Sequence, residues 1–67
     1  MKLRETLEYY GKMVCVTCTN GEECRGRYNW YQSDAESLDE PNAIGIDNGA
    51  GIIVDIPVDE VASIAAL

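Results

Sequence analysis

Histidine is absent from all 67 residues. That removes the commonest general base and the commonest nitrogen ligand for metals. Cations are scarce too: there are five, and none lies beyond Arg27. A phosphate backbone is held by clustered Lys and Arg. The rest of the chain carries Asp34, Glu36, Asp39, Glu40, Asp47, Asp55, Asp59 and Glu60, which excludes a surface that is basic throughout. No apolar run is long enough for a membrane-spanning helix, and no signal-peptide pattern is present. Three cysteines cannot all pair within one chain. Free thiols and a cytoplasmic location are therefore the expectation. P-loop, Rossmann and nucleophile-elbow motifs are also missing.

What is present makes one small domain, residues 1–67. A chain this short buries only about 60% of its unfolded surface. Its core is marginal, and such scaffolds need a staple or partner chains. With no disulfide framework, oligomerisation becomes the expected staple. The net charge of −7 keeps copies soluble. It also leaves one weakly basic region near Arg25 and Arg27.

Leu3, Leu7 and Tyr10 fall on one helical stripe, which predicts a short helix over 2–10. Gly11 follows where a helix C-terminus favours a left-handed residue. Val14, Val16 and Cys18 then alternate with Cys15, Thr17 and Thr19. Cys24, Gly26, Tyr28 and Trp30 alternate with Glu23, Arg25, Arg27 and Asn29. Both runs read as strands with one apolar face. A two-residue Asn20-Gly21 turn would set those faces against each other, because a one-residue slip flips every side chain. A three-residue loop, Thr19-Asn20-Gly21, restores agreement, with Gly21 in the left-handed position of a bulged hairpin.

Residues 32–42 read as a solvated acidic loop. Ala43 to Asp47 reads as a third strand with Ile44 and Ile46 inward. After the turn Asp47–Gly51, a fourth strand over 52–56 is expected, with Ile52, Val54 and Ile56 inward, Ile53 outward and Pro57 as its end. The tail is ambiguous. Pro57, then Asp59-Glu60, then Val61, Ile64 and Leu67 with several alanines read as a helix start and stripe, so propensity alone predicts a helix.

Candidate chemistry is sparse. Cys15-Val16-Thr17-Cys18 matches a CxxC pattern, but on a strand its two thiols point to opposite faces. Cys18 and Cys24 share the inner face as diagonal neighbours, roughly 7–8 Å apart and too far for a relaxed disulfide. Buried structural thiols are the expectation, with no metal or redox site, and Cys15 is the thiol left open to reagents. Asp39-Glu40 and Asp59-Glu60 sit in loops with no apolar pocket to tune a pKa. Tyr28 and Trp30 have core parity. Tyr31 has outward parity and is the aromatic placed to contact a ligand. No residue reads as catalytic and no cofactor is implied, so the chain is not expected to be an enzyme.

The stretch from Gly11 to Tyr28 resembles the first signature half of the Sm/LSm family of small β-barrels. Leu7, Gly11, Lys12, Val14, Val16, Asn20-Gly21, Gly26 and Tyr28 fall where that family places apolar, turn and bend residues. The resemblance extends from Leu7 to about Leu67. It implies a five-stranded, strongly bent antiparallel barrel over 12–67 behind a short N-terminal helix. It also implies that the tail is a single turn at Val58 to Glu60 followed by a fifth strand. The family's RNA-contacting motifs do not carry over: Ser33 to Asn42 is acidic, and Ile53-Val54-Asp55-Ile56 contains no arginine.

Two function classes follow. One is an Sm-like module assembled into a homo-oligomeric ring, with RNA contacted through Lys12, Arg25, Arg27 and Tyr31. The other is an acidic protein-interaction module for a basic partner, without RNA. Both expect self-association through Ile53, Val61, Ala62 and Ile64. The fifth strand holds no Lys, Arg or Pro to guard its edge.

Overall fold

A computed structural model describes residues 1–33 and 42–67. Most of the expected acidic loop, including Asp39-Glu40, lies outside them. The chain is mostly β. Five strands, β1 (Met13–Cys18), β2 (Glu23–Gln32), β3 (Ala43–Asp47), β4 (Ile53–Pro57) and β5 (Val61–Ala66), form one sheet in the order β4-β3-β2-β1-β5. Every neighbouring pair is antiparallel.

The β1–β2 hairpin has the three-residue loop. Val16 lies opposite Cys24, Cys15 opposite Arg25 and Val14 opposite Gly26. The Cys18 N–H donates to the Glu22 carbonyl at 2.8 Å, and Gly21 takes φ +91°. An L side chain pays about 1–2 kcal/mol to adopt that conformation. Gly26 is needed for a different reason. A Cβ there would lie 2.2 Å from the Asp47 carbonyl oxygen, so β2 passes β3 where only hydrogen fits.

The inner face builds one core from Leu3, Val14, Val16, Tyr28, Ile44, Ile46, Ile56, Val58 and Val61, with Cys18, Cys24 and Ile64 packed against it. The tail is the 3-10 turn Val58–Glu60 followed by β5. Propensity alone predicts a helix there and is overruled: pairing with β1 makes a strand, which buries Val61 against Cys18.

Four expectations are corrected. The sheet is not a closed barrel: β4 and β5 are its outermost strands and do not pair with each other. The three-residue turn Val58–Glu60 joins the end of β4 directly to the start of β5, so the sheet curls enough to bring those two strand ends close without pairing them. The helix expected over 2–10 is shorter, an α-helix α1 at Leu3–Thr6 and then a 3-10 turn at Leu7–Tyr9. Tyr10 leaves helical geometry (ψ 132°), and its ring packs edge-on against both Tyr28 and Tyr31, with centroids 5.3 and 5.4 Å away. Leu7 is consequently left exposed. Ile52 is exposed, because it lies beyond the end of β3 and outside β4.

The fourth correction concerns Trp30 and Tyr31. The β2–β3 register shifts between Tyr28 and Trp30: Tyr28 faces Ile46, but Trp30 faces Gly45 and Tyr31 faces Ile44. Asn29 is the extra residue of a β-bulge, and a bulge reverses the parity of all that follows. Trp30 therefore moves to the outer face, 39% exposed. Tyr31 takes the parity of the inner face and meets the ring of Tyr10, yet at the sheet's end it stays 44% exposed. The Tyr10 hydroxyl donates to the Asn29 carbonyl at 3.0 Å, which gives the bulge's backbone a partner.

Candidate assembly edges

The two outer strands expose backbone groups in a definite phase. In an antiparallel ladder, bonded and non-bonded pairs alternate. Next to β4, Val58 N–H donates to the Asn42 carbonyl at 2.9 Å and Asn48 N–H to the Ile52 carbonyl at 3.2 Å. With Ile44 opposite Ile56 and Ile46 opposite Val54, these even-numbered residues of β4 bond to β3. The N–H and C=O groups of Ile53 and Asp55 therefore point away from the sheet. Pro57 has no N–H to offer.

Beside β5, Leu67 N–H donates to the Met13 carbonyl at 2.9 Å. With Cys15 opposite Ala65 and Thr17 opposite Ser63, these odd-numbered residues of β5 bond to β1. Ile64 and Ala66 turn their backbone groups outward. Ala62 is the residue at the register shift between Thr17 and Cys18. Among the described residues, no strand covers either edge.

Side chains differ between the edges. On β4, Ile53 and Asp55 lie on the outer face, and Ile53 is 50% exposed. Gly45 lies between Ile53 and Trp30. A Cβ on it would stand 2.9 Å from Trp30 Cε3 and 3.0 Å from Ile53 Cγ2, so both side chains close over the glycine. The result is an apolar ledge along the outer face beside β4. On β5, Ile64 faces the core and is partly buried, while Ala62 is exposed. Val61 spends its side chain in its own core. Beside Ile64 runs a groove lined by Met1, Arg4, Glu5, Glu8 and Tyr9, with Met1 and Tyr9 also packed on the core.

Of the residues expected to contact RNA, Lys12, Arg25 and Arg27 neighbour one another where β2 passes the start of β1, and Tyr31 stands apart. Arg25 and Arg27 share the outer face of β2. The Arg25 guanidinium stands 3.7 Å from Glu23, and Arg27 donates to the Gly11 carbonyl at 2.8 Å. Lys12 is exposed just before β1. Tyr31 lies across the bulge on the other face. The Trp30 ledge was missed by alternation because a bulge leaves no periodic signal; a glycine in the middle of a short strand was its one visible mark.

The thiols keep their expected faces. Cys15 points outward and donates to Glu23 Oε2 at 3.2 Å. Cys18 and Cys24 line a cleft of about 270 Å³ between the hairpin and β4, with Val54 and Ile56 on its apolar wall and Glu22, Glu23, Asp55 and Glu60 around it. Burial, then the neighbouring thiols, push the Cys24 pKa up, so it stays protonated. No three described Cys, Asp or Glu side chains group as metal ligands. Asp59 and Glu60 are exposed.

Compared with family models, with curated proteins and with solved structures, this chain matches none.

Proposed function

We propose that this chain is a non-enzymatic, Sm-like assembly module whose copies join edge to edge, β4 of one to β5 of the next. The observation that carries this reading is the pair of uncovered edges on a sheet of odd strand number. Each edge presents unbonded backbone groups, and β5 carries no charge or proline to repel another strand. A contact between two different edges is heterologous and closes into a ring when the rotation permits. It supplies the apolar burial that a chain of this size lacks.

Light scattering at micromolar concentration tests it. The expected species is several times heavier than the 7.4 kDa chain. Ile64→Lys puts a charge beside the pairing strand and should return it to monomer. A stable monomer in the parent chain, unchanged by that substitution, ends the reading.

A second reading, an acidic module for a basic protein without RNA, draws on the carboxylates around the cleft. Recovery from native cells at low and high salt separates the partners. RNA released by salt supports the Sm-like ring with nucleic acid. A basic protein released by salt supports the second reading.

A further inference from the structure

Two Asn-Gly pairs stand in exposed turns, Asn20-Gly21 between β1 and β2 and Asn48-Gly49 between β3 and β4. They form a matched comparison inside one chain. Both glycines take a left-handed backbone, with φ +91° at Gly21 and +87° at Gly49. In both turns the asparagine side chain folds forward along the chain. Glu22 N–H donates to Asn20 Oδ1 at 2.9 Å, and Ala50 N–H donates to Asn48 Oδ1 at 2.8 Å. A donor on that oxygen draws electrons from the amide carbon, Cγ. It also stands ready for the negative charge the oxygen gains when Cγ is attacked.

The two sites differ at the glycine nitrogen. Gly21 N–H is held by the Cys18 carbonyl at 2.9 Å, a neutral amide oxygen and a very weak base. Gly49 N–H is held by Asp47 Oδ1 at 2.9 Å, an oxygen of a carboxylate. A general base must lie within hydrogen-bond reach of the proton it removes, and this one does. The other Asp47 oxygen is 3.4 Å from the Asn29 amide nitrogen, which ties the carboxylate to the bulge of β2 and leaves Oδ1 to the turn.

We propose that Asn48-Gly49 is a self-modification site, at which the folded turn converts Asn48 to aspartate and isoaspartate. The Gly49 nitrogen attacks Asn48 Cγ, and the new C–N bond closes an imide ring. The Asp47 carboxylate takes the proton from that nitrogen and delivers it to Nδ2. The Cγ–Nδ2 bond breaks and ammonia leaves. Water then adds to one of the two ring carbonyls and breaks its bond to the nitrogen. Attack at Cγ gives aspartate. Attack at the main-chain carbon gives isoaspartate, with the chain routed through the former side chain. Either product adds a negative charge to the turn. Isoaspartate also adds a methylene inside the loop that the Asn48 N–H closes on the Ile52 carbonyl at 3.2 Å. Ammonia is lost to solvent, so the change is one-way and accumulates with the age of each copy.

The test incubates the purified full chain over days at neutral pH. Peptide mapping by mass reads the conversion of amide to acid at positions 48 and 20, and an isoaspartyl methyltransferase labels the iso form. Conversion at Asn48 is expected to run about tenfold or more faster than at Asn20. In urea, where both turns are undone, the two rates should converge. Asp47→Asn keeps an acceptor oxygen for Gly49 N–H and removes the base. It is expected to slow conversion at Asn48 by about tenfold or more, with circular dichroism and the rate at Asn20 unchanged. Should that variant not fold, the ratio of the two sites in the parent chain decides alone. Equal rates at both sites in the folded parent, a ratio that persists in urea, or undiminished conversion at Asn48 in folded Asp47→Asn overturns the proposal.

Discussion

The two halves of β2 obey different rules. From Glu23 to Tyr28 the strand alternates as its sequence alternates, inward at Cys24, Gly26 and Tyr28. From Trp30 to Gln32 the same strand runs in opposite parity, because Asn29 has been inserted against β3. The first half is paired to β1 through a hairpin whose loop fixes the register. The second is paired to β3, which begins at Ala43, beyond ten intervening residues. Register imposed by a short loop is readable from sequence; register imposed by packing is not.

The most severe way to break this contrast is to delete Asn29. Trp30 would then swing inward against Ile44 and Ile46, and Tyr31 outward from Tyr10. We expect loss of cooperative unfolding, followed by circular dichroism during a denaturant titration. Next in size is Gly26→Ala in the first half. Its Cβ would meet backbone, the Asp47 carbonyl, which cannot rotate away. Destabilisation of about 3 kcal/mol or more is expected from the same titration, at the upper end for overpacking.

Gly45→Ala probes the second half and should be milder. The atoms it meets belong to the side chains of Trp30 and Ile53, which can move. A cost of about 1–2 kcal/mol should come with a change in Trp30 emission, which Gly26→Ala should not produce before unfolding. Gly21→Ala tests the loop itself, with an expected cost of about 1 kcal/mol from the left-handed backbone alone. A shift of the thermal midpoint without a change in emission would support it.

The smallest effect is one of pH. Burial raises the Cys24 pKa above 9.0, with the neighbouring thiols adding to it. Burial likewise raises that of Tyr28 above 10.0, with its hydrogen-bonded contact to Thr6 acting the other way. Both groups are neutral in the folded chain and ionise more easily once unfolded. Their contribution is complete below the ordinary values and fades as pH rises through them. Stability should therefore hold from neutrality to about pH 9 and then decline. Tyr28→Phe should remove the part that begins near pH 10.

Much of the fold was legible. The hairpin register followed from requiring both strands to put their apolar residues on one side. Ile44, Ile46 and Ile56 faced inward as alternation implied. Strand β5 was legible only through the family resemblance, since propensity alone predicts a helix there. The bulge, the exposure of Trp30 and the early end of α1 depend on contacts between distant segments, which periodicity does not encode. On the outermost strands, the outward side chain of Ile53 was legible from alternation. The phase of those strands' backbone groups was not, because it requires knowing which residues bond inward. Val61 lies on the outermost strand β5 with its side chain in the chain's own core.

The bond from the Tyr10 hydroxyl to the Asn29 carbonyl has a consequence for how the molecule opens. Thr6 gives its one hydroxyl proton to the Leu3 carbonyl, so Tyr28 donates to Thr6 at 2.9 Å. Gly11 N–H is held by the Tyr28 carbonyl at 2.7 Å, and Tyr28 N–H by that of Lys12 at 3.0 Å. The N-terminal segment is thereby fastened to both sides of the bulge. Short helical segments at chain ends ordinarily fray independently of a sheet. Here lifting the segment would release the bulge, and straightening the bulge would release the segment. Amide hydrogen exchange should find Gly11 and Tyr28 opening as one unit at one rate, with Tyr10→Phe uncoupling them.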